Sequence, residues 1–189
     1  MSKPETNLSL KEVACRLDDA GITWAVFAGA AASVYGADRP LTDVDILVAA
    51  AEGDHIADLF PEAQIQRQED GYILGANMPS FDILAGLTAV DLDADMAARL
   101  THHEIAGVTV PVIPAEDNIL LKALWGRGPE VGKHDWEDVE AMMRHLPTLD
   151  WGYLRWRVDA CAPRQRADQI LQRLEAIWRQ MGNAPPSLA

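Results

Sequence analysis

The first clear pattern along the chain is an amphipathic helix near its start. Apolar residues recur at helical spacing in residues 9 to 21, and four of them share one face: Leu10, Val13, Ala14 and Leu17. Ser9 stands where a helix N-cap is expected, and Gly21 lies just beyond the last apolar position. The pattern predicts a first helix that begins after Ser9 and ends before Gly21.

Short apolar runs in the middle of the chain predict buried β-strands. They are rich in β-branched and aromatic residues, and glycine, proline or polar residues bound them. The predicted strands are ITWAVFAG (22–29), VDILVA (44–49), GYILGA (71–76), SFDILAG (80–86) and GVTVPVI (107–113). NMPS joins the third to the fourth, which predicts a β-hairpin with Pro79 in its turn.

Helices are predicted between these strands and after them. The segments are AAASVYG (30–36), GDHIADLFPEA (53–63) and PAEDNILLKALWGRG (114–128), the last begun by Pro114 and ended by glycine. KHDWEDVEAMMRHL (133–146) and ADQILQRLEAIWRQMG (167–182) follow as amphipathic helices. The predicted fold class is α/β (α+β): a mixed β-sheet flanked by helices, with a helical C-terminal segment.

The change of pattern near residue 128 predicts the domain organisation. A chain of 189 residues is long enough for one sizeable core with a helical appendage. We expect a core over residues 1–128 and a C-terminal helical segment over residues 129–181 that packs on it. The final residues, 182–189, have no pattern that would order them and are expected to form a disordered tail.

Composition indicates a soluble cytoplasmic protein. The chain is 49% hydrophobic and 24% charged, and its apolar runs are too short and too interrupted to span a bilayer. The N-terminus lacks the apolar centre and the cleavage site of a signal peptide, and Cys15 and Cys161 have no metal-ligand spacing.

The charge balance argues against general nucleic-acid binding. The formal net charge is −13, whereas phosphate neutralisation by Lys and Arg supplies most non-specific affinity for DNA. The arginines are concentrated near the C-terminus, with seven between Arg144 and Arg179. A basic strip there would be needed for a tRNA acceptor, and it would have to place four arginines on one face: Arg155, Arg157, Arg164 and Arg166.

Three carboxylates in apolar strands carry the candidate chemistry. Side chains alternate between faces along a strand, so Asp43 and Asp45 point the same way, while Val44 and Ile46 point into the core. Asp82 stands between Phe81 and Ile83 in the same kind of apolar setting. Grouped like charges are costly unless a cation lies among them, and Mg²⁺ prefers such oxygen ligands. The pattern predicts a site for metal-assisted phosphoryl or nucleotidyl transfer.

Two other motifs are rejected as sites. GRGPEVGKH (126–134) lacks the first glycine of a phosphate-binding P-loop and has His134 where Ser or Thr must follow the lysine. THHE (101–104) offers adjacent histidines that would point to opposite faces of a strand, so solvated histidines are the better interpretation.

The order of these motifs resembles the nucleotidyltransferase (DNA polymerase β-like) superfamily. FAGAAASVYGADRPLTDVDILV followed by SFDIL is similar to that family's glycine, acid-x-acid pair and third acid. VIPAEDNILLKALWGR and KHDWEDV are similar to segments of small bacterial members, which include toxin-like and antibiotic nucleotidyltransferases. The resemblance covers roughly residues 10 to 145.

The resemblance implies roles for individual residues. Asp43 and Asp45 would ligate metal ions, two Mg²⁺ being expected, and Asp82 would complete the site and could act as base for the attacking hydroxyl. Gly29 would shape a turn against phosphate. Lys122 would face the triphosphate, although a lysine whose stem packs along the edge of its helix is an equally good interpretation.

Four further positions belong to the implied nucleotide site. Arg39 and Thr42 precede the acidic pair and are candidates for phosphate contact. Ala30 stands where the family has Gly or Ser, so the hydroxyl that a serine would donate to a phosphate oxygen is missing. Ser33, one helical turn further on, could replace it.

The implied function is Mg²⁺-dependent transfer of a nucleoside monophosphate from an NTP, ATP among the candidates, to an acceptor hydroxyl, with release of pyrophosphate. The acceptor stays open between a small molecule, a protein and a tRNA. The alternative is a catalytically inactive binding module with the same fold, such as a component of a toxin–antitoxin pair. For Asp135, pairing with a nearby Arg or Lys is the preferred interpretation over catalysis.

Overall fold

A seven-stranded mixed β-sheet is the centre of the fold. The computed structural model describes residues 8–38, 40–41, 43–61, 63–67, 73–78, 81–87 and 89–183. Within them the strands are β1 (Trp24–Phe27), β2 (Val44–Val48), β3 (Gln64–Arg67), β4 (Ile73–Met78), β5 (Phe81–Ala85), β6 (Thr101–Ile105) and β7 (Val108–Val112). Their order across the sheet is β3-β4-β5-β2-β1-β7-β6. The α/β fold class with a mixed sheet is confirmed.

The helices of the described residues alternate with these strands and then follow them. They are α1 (Leu10–Asp19), α2 (Ala28–Val34), α3 (Gly53–Leu59), α4 (Ala94–Ala97), α5 (Ala115–Trp125), α6 (Asp135–His145), α7 (Trp151–Cys161) and α8 (Arg164–Gln180). Two short 3-10 turns lie at Ala50–Glu52 and Pro129–Val131. Among these helices, none combines the length and the apolar character that crossing a membrane would require.

The start of α1 confirms the sequence prediction. The Ser9 hydroxyl accepts a hydrogen bond from the Glu12 backbone N–H at 3.3 Å, and the Glu12 carboxylate accepts one from the Ser9 N–H at 2.8 Å. This capping box satisfies N–H groups that the first turn of a helix leaves without partners. The predicted apolar face is buried as a set: Leu10, Val13, Ala14 and Leu17.

Central strands were easier to predict than polar ones. β1 is buried along its whole length, and the predicted hairpin of β4 with β5 is antiparallel, with Met78 opposite Phe81. Its turn residues, Pro79 and Ser80, lie outside the described residues. β3 and β6 were not predicted, because both are edge strands with mostly polar sequences, QIQR and THHEI.

Several element boundaries differ from the predictions for local reasons. The third helix ends at Leu59 rather than near residue 63, because Pro61 disfavours helical geometry in the residue before it. The C-terminal end of α5 is as predicted: Gly126 adopts a left-handed conformation, φ 57°, and its N–H donates to the Lys122 carbonyl at 2.8 Å. α7 lies in the region predicted to be helical without defined bounds.

The chain divides into two units by internal contacts. The first contains residues 1–30 and 40–113, and the second contains residues 31–39 and 114–189. The sheet belongs to the first unit, and α5 to α8 belong to the second. The expected division at residue 128 differs from this, because α5 packs against α6 and α7. Of the predicted tail, Gly182 and Asn183 are described, and residues 184–189 lie outside the described residues.

The second unit is organised around a buried ion pair. Asp117 on α5 is fully buried, and the Arg157 Nε on α7 donates to it at 2.6 Å. The Tyr153 hydroxyl donates to the other oxygen of the same carboxylate at 2.7 Å. Since a buried charge needs a partner and hydrogen bonds, this network fixes α7 against α5.

The hairpin of β6 and β7 contains a strained alanine. Ile105 pairs with Val108, so Ala106 and Gly107 form a two-residue turn, with φ values of 50° and 78°. Positive φ at both central positions defines a type I′ turn, for which Asn-Gly is preferred. An alanine in this conformation places its Cβ close to its own backbone.

We expect Ala106→Asn to stabilise the protein by about 1 kcal/mol, because asparagine tolerates the left-handed conformation better than alanine. The midpoint of thermal unfolding should rise by about 2 to 4 °C. Ala51→Asn is the matched control, because Ala51 is also exposed but does not have positive φ. An unchanged midpoint in Ala106→Asn, or an equal rise in both variants, would contradict the assignment of strain to this turn.

Candidate active site

Three aspartates lie together on one face of the sheet. Asp43 immediately precedes β2, Asp45 is the second residue of β2, and Asp82 is the second residue of β5. β2 and β5 are parallel, and Asp45 is directly beside Asp82 in their register. One carboxylate oxygen of each aspartate lies within 4.8 Å of the others. The structure therefore brings together the three acids that the sequence grouped, while their role as metal ligands stays a prediction.

Strand alternation explains how these acids reach a common volume. The neighbours of Asp45, Val44 and Ile46, are buried, as are Phe81 and Ile83 on either side of Asp82. The apolar side chains fix one face of both strands in the core, so the acids must lie on the other. Asp45 and Asp82 are half-buried and Asp43 is exposed, which leaves the group accessible from solvent.

The donor set fits a hard divalent cation. All three groups offer carboxylate oxygens, which Mg²⁺ prefers, whereas imidazole or thiolate ligands would favour zinc. A cation among the three carboxylates would offset the repulsion between their negative charges. Asp43, Asp45 and Asp82 are therefore the residues that would hold Mg²⁺ in this protein.

The turn after β1 lies at the same end of the sheet. Phe27, the last residue of β1, is paired with Asp45. The left-handed residue of this turn is Ala28, with φ 55°, and Gly29 does not have positive φ. The predicted turn is thus made by Ala28, which no feature of its sequence indicates. Gly29 is exposed, and within the described residues a Cβ at this position would meet no atom within 4 Å.

The remaining residues of the implied nucleotide site differ in their burial, in the unit to which they belong and in whether the structure describes them. Ala30 is 1% exposed, so its methyl group points into the protein and not towards solvent. Ser33 is half-buried on α2 and belongs to the second unit, whereas Gly29 and Ala30 belong to the first. Arg39 and Thr42 lie outside the described residues. The nucleotide-binding roles of all these residues stay predictions.

Lys122 is held by two buried carboxylates of the second unit. Its side chain is 6% exposed, and its ammonium lies 2.7 Å from Asp138 Oδ2 and 3.3 Å from Asp135 Oδ1. Asp135 is itself fully buried and also accepts a hydrogen bond from Arg127 Nε at 2.9 Å. These contacts join α5 to α6. The triphosphate role of Lys122 stays a prediction, and its observed contacts are structural.

The environment of Asp135 favours the ionised carboxylate. Burial alone would raise the pKa of Asp135, but hydrogen bonds from the Arg127 side chain and backbone act in the opposite direction. The positive charges of Lys122 and Arg127 add to this, and the pKa of Asp135 is lowered below its ordinary value. The interpretation of Asp135 as an ion-pair partner of Arg or Lys therefore agrees with the structure.

The C-terminal arginines do not form one face of unengaged cations. Arg157 is buried in its ion pair with Asp117, and Arg155 is paired with Glu175 on α8. The Arg166 guanidinium lies 3.4 Å from the carbonyl oxygens of Ala123 and Leu124 at the end of α5. Since most of the predicted strip is used to join helices of the second unit, it does not support a tRNA acceptor.

Comparison of the fold with solved structures identifies its class. An antigenic nucleotidyltransferase-like protein from Paracoccidioides brasiliensis aligns with a TM-score of 0.51 and 19% identity, over 90% of this chain and 87% of that chain. The antibiotic-resistance factor ANT(2″)-Ia aligns with a TM-score of 0.52 and 11% identity, over 92% of each chain. No protein-family model matches the chain, and no curated protein matches its sequence.

The chain therefore has a nucleotidyltransferase-like fold, which confirms the resemblance drawn from the sequence motifs. Identities of 19% and 11% establish the fold alone. The alignments extend over 90% and 92% of this chain, which is more than residues 10 to 145, to which the resemblance of the sequence motifs was limited.

Lys122→Met tests the structural role of this lysine. Removing the ammonium takes away a positive charge that lies beside two buried carboxylates. We therefore expect the free energy of unfolding to fall by about 3 kcal/mol. Chemical denaturation monitored by circular dichroism gives this value. Lys133→Met is the matched control, because Lys133 is exposed in the same unit and should change stability by less than about 0.5 kcal/mol. Equal stability of the two variants would contradict the structural role.

Proposed function

We propose that this protein is a metal-dependent nucleotidyltransferase that moves a nucleoside monophosphate from an NTP to an acceptor hydroxyl. The observation that supports this most directly is the group formed by Asp43, Asp45 and Asp82, with ligand oxygens within 4.8 Å of one another on a nucleotidyltransferase-like sheet. The fold alone would not be enough, since one fold serves many functions.

The three aspartates have different roles in the proposed reaction. Asp43 and Asp45 hold the metal, and Asp82 completes the site and accepts the proton of the attacking hydroxyl. The acceptor oxygen bonds to the α-phosphorus, the bond from that phosphorus to the bridging oxygen breaks, and pyrophosphate leaves. Bound Mg²⁺ supplies positive charge to the phosphate oxygens, where negative charge must be neutralised during transfer.

The turn formed by Ala28 and Gly29 is the proposed support for the phosphates. It follows β1 directly, and the pairing of Phe27 with Asp45 places the end of β1 beside the acidic group. The absence of a side chain at Gly29 lets another molecule approach the backbone closely, and the space beside its Cα is open within the described residues.

A small molecule is the proposed acceptor. A tRNA or other nucleic acid would need accessible cations, and the observed contacts of Arg155, Arg157 and Arg166 are with groups of the second unit itself. The net charge of −13 also argues against a nucleic-acid acceptor, because it repels a polyanion. The likeness of fold to an antibiotic-resistance factor is consistent with a hydroxyl-bearing small molecule.

Thermal unfolding with each of the four NTPs, with and without Mg²⁺, tests the proposal. A ligand at 100 times its Kd stabilises the folded protein by about 2.7 kcal/mol, which corresponds to a rise of about 5 °C or more for a chain of this size. We expect one or more NTPs to produce this rise only with Mg²⁺. In Asp45→Asn the rise should disappear, because one metal ligand has been replaced.

Asp19→Asn is the matched control for this experiment. It removes one exposed carboxylate from α1 in the same unit and should leave the NTP-dependent rise intact. No rise with any NTP in the wild type would contradict nucleotide binding and favour the inactive binding module. An equal rise in wild type and Asp45→Asn would contradict the role of the acidic group.

A further inference from the structure

The edge strand β6 exposes hydrogen-bonding groups on the outer side of the sheet. Within the described residues β6 pairs only with β7, and it is the last strand of the sheet on that side. Thr101, His102 and Glu104 are exposed. An open strand edge of this kind is a template for pairing with another strand.

The hairpin geometry determines which residues of β6 direct their backbone N–H and C=O groups away from β7. The pair that closes a two-residue turn is hydrogen-bonded, so Ile105 bonds to Val108, and alternate pairs along the ladder do the same. His103 therefore bonds to β7, whereas His102 and Glu104 direct their N–H and C=O groups away from it. Pro111 stands opposite His102, where β7 donates no hydrogen bond to β6.

A contact on the other side of β7 supports the same alternation. The Ile113 N–H donates to the Val26 carbonyl of β1 at 3.1 Å. The odd-numbered residues of β7, like Ile113, therefore direct their backbone groups to β1. The even-numbered residues, such as Val112, direct theirs to β6. The outward groups of β6 are consequently those of its two even-numbered residues.

We infer that β6 is a dimerisation strand that pairs antiparallel with β6 of a second copy of this chain, about a two-fold axis at His103. In this register His102 of each copy stands opposite Glu104 of the other. Each of these two pairs exchanges two backbone hydrogen bonds, which uses every outward-pointing group of His102 and Glu104. The interface is isologous, as two-fold symmetry requires.

The charges along β6 indicate both its pairing partner and the register of the pairing. An axis at Glu104 would place two carboxylates opposite each other, and an axis at His102 would face two histidines and leave Glu104 outside the strand. With the axis at His103, both exposed His102 side chains face carboxylates, to which an imidazole can donate a hydrogen bond. The strand is thus complementary to its own copy and does not need a partner of different sequence.

Within the described residues, the opposite edge strand, β3, is less regular than β6. The register of β3 against β4 shifts between Gln66 and Arg67. A register shift interrupts regular pairing, and interrupted pairing is one way in which proteins protect edges. β6 pairs with β7 over five consecutive residue pairs without a register shift. Regularity therefore distinguishes the edge proposed for dimerisation.

Sedimentation velocity of the full chain over micromolar to submillimolar concentrations tests the inference. We expect a reversible equilibrium between the monomer and a species of twice its mass. Glu104→Pro should abolish the dimer, because it removes an N–H that points away from β7 and is needed only by the second copy. Circular dichroism verifies that the variant remains folded.

A charge exchange tests the register without changing the backbone. His102→Glu places a carboxylate opposite Glu104 in both symmetric pairs and should weaken dimerisation about tenfold. Adding Glu104→His in the same chain restores opposite partners and should recover the affinity to within about threefold. His55→Glu, at an exposed position on α3, is the matched control and should not change the equilibrium.

Three outcomes would overturn the inference. The first is a wild type that remains monomeric over the whole concentration range. The second is a dimer that His102→Glu weakens no more than His55→Glu does. The third is a dimer that His102→Glu weakens but the exchanged pair does not restore. None of these readouts depends on nucleotide binding or turnover, so this inference and the proposed function can fail separately.

Discussion

The parallel pairing of β2 with β5 is the constraint on which the candidate site depends. Its register sets Asp45 beside Asp82, and strand alternation adds Asp43 to the same face. A shift of β2 by one residue against β5 would place Asp43 and Asp45 on the face of the sheet opposite Asp82. The pairing is held by fully buried side chains of both strands, among them Ile46, Leu47 and Ile83. The apolar core thus supports an arrangement of like charges that is unfavourable on its own.

The carboxylates discussed above have different surroundings in the first and the second unit. In the second unit, Asp117 has Arg157 as its partner, and Asp135 and Asp138 share Lys122. These pairs are buried and hydrogen-bonded, which is the condition under which a charge is tolerated in a protein interior. In the first unit, the carboxylates of Asp43, Asp45 and Asp82 lie within 4.8 Å of one another, and Asp43 is exposed. The buried acids of the second unit thus join helices, whereas the acidic group of the first unit is the candidate cation site.

Sequence reasoning succeeded where local and long-range preferences agree. The N-cap of α1 at Ser9, the strands β1 and β2, and the glycine at the end of α5 each have their own local signals, and all were predicted. The proximity of Asp82 to Asp45 was predicted as well, because a lone acid in an apolar strand is informative.

The failures have equally physical causes. β3 and β6 are polar because edge strands need only one strand neighbour, so their composition resembles that of loops. The turn after β1 was assigned to Gly29, but Ala28 is the residue with positive φ, and alanine gives no indication of that conformation. The partners of Lys122 come from α6, 13 and 16 residues further along the chain, and helical periodicity does not reveal such contacts.

Binding of Mn²⁺ measured by electron paramagnetic resonance tests the central claim most directly, since Mn²⁺ takes the same oxygen ligands as Mg²⁺. The signal of free Mn²⁺ is followed in the presence of a non-hydrolysable NTP analogue for the wild type, Asp82→Asn and Asp19→Asn. The account predicts up to two bound Mn²⁺ per chain in the wild type and in Asp19→Asn. In Asp82→Asn, affinity should fall at least about tenfold, or 1.4 kcal/mol. Equal binding by all three proteins would contradict a metal site built from Asp43, Asp45 and Asp82.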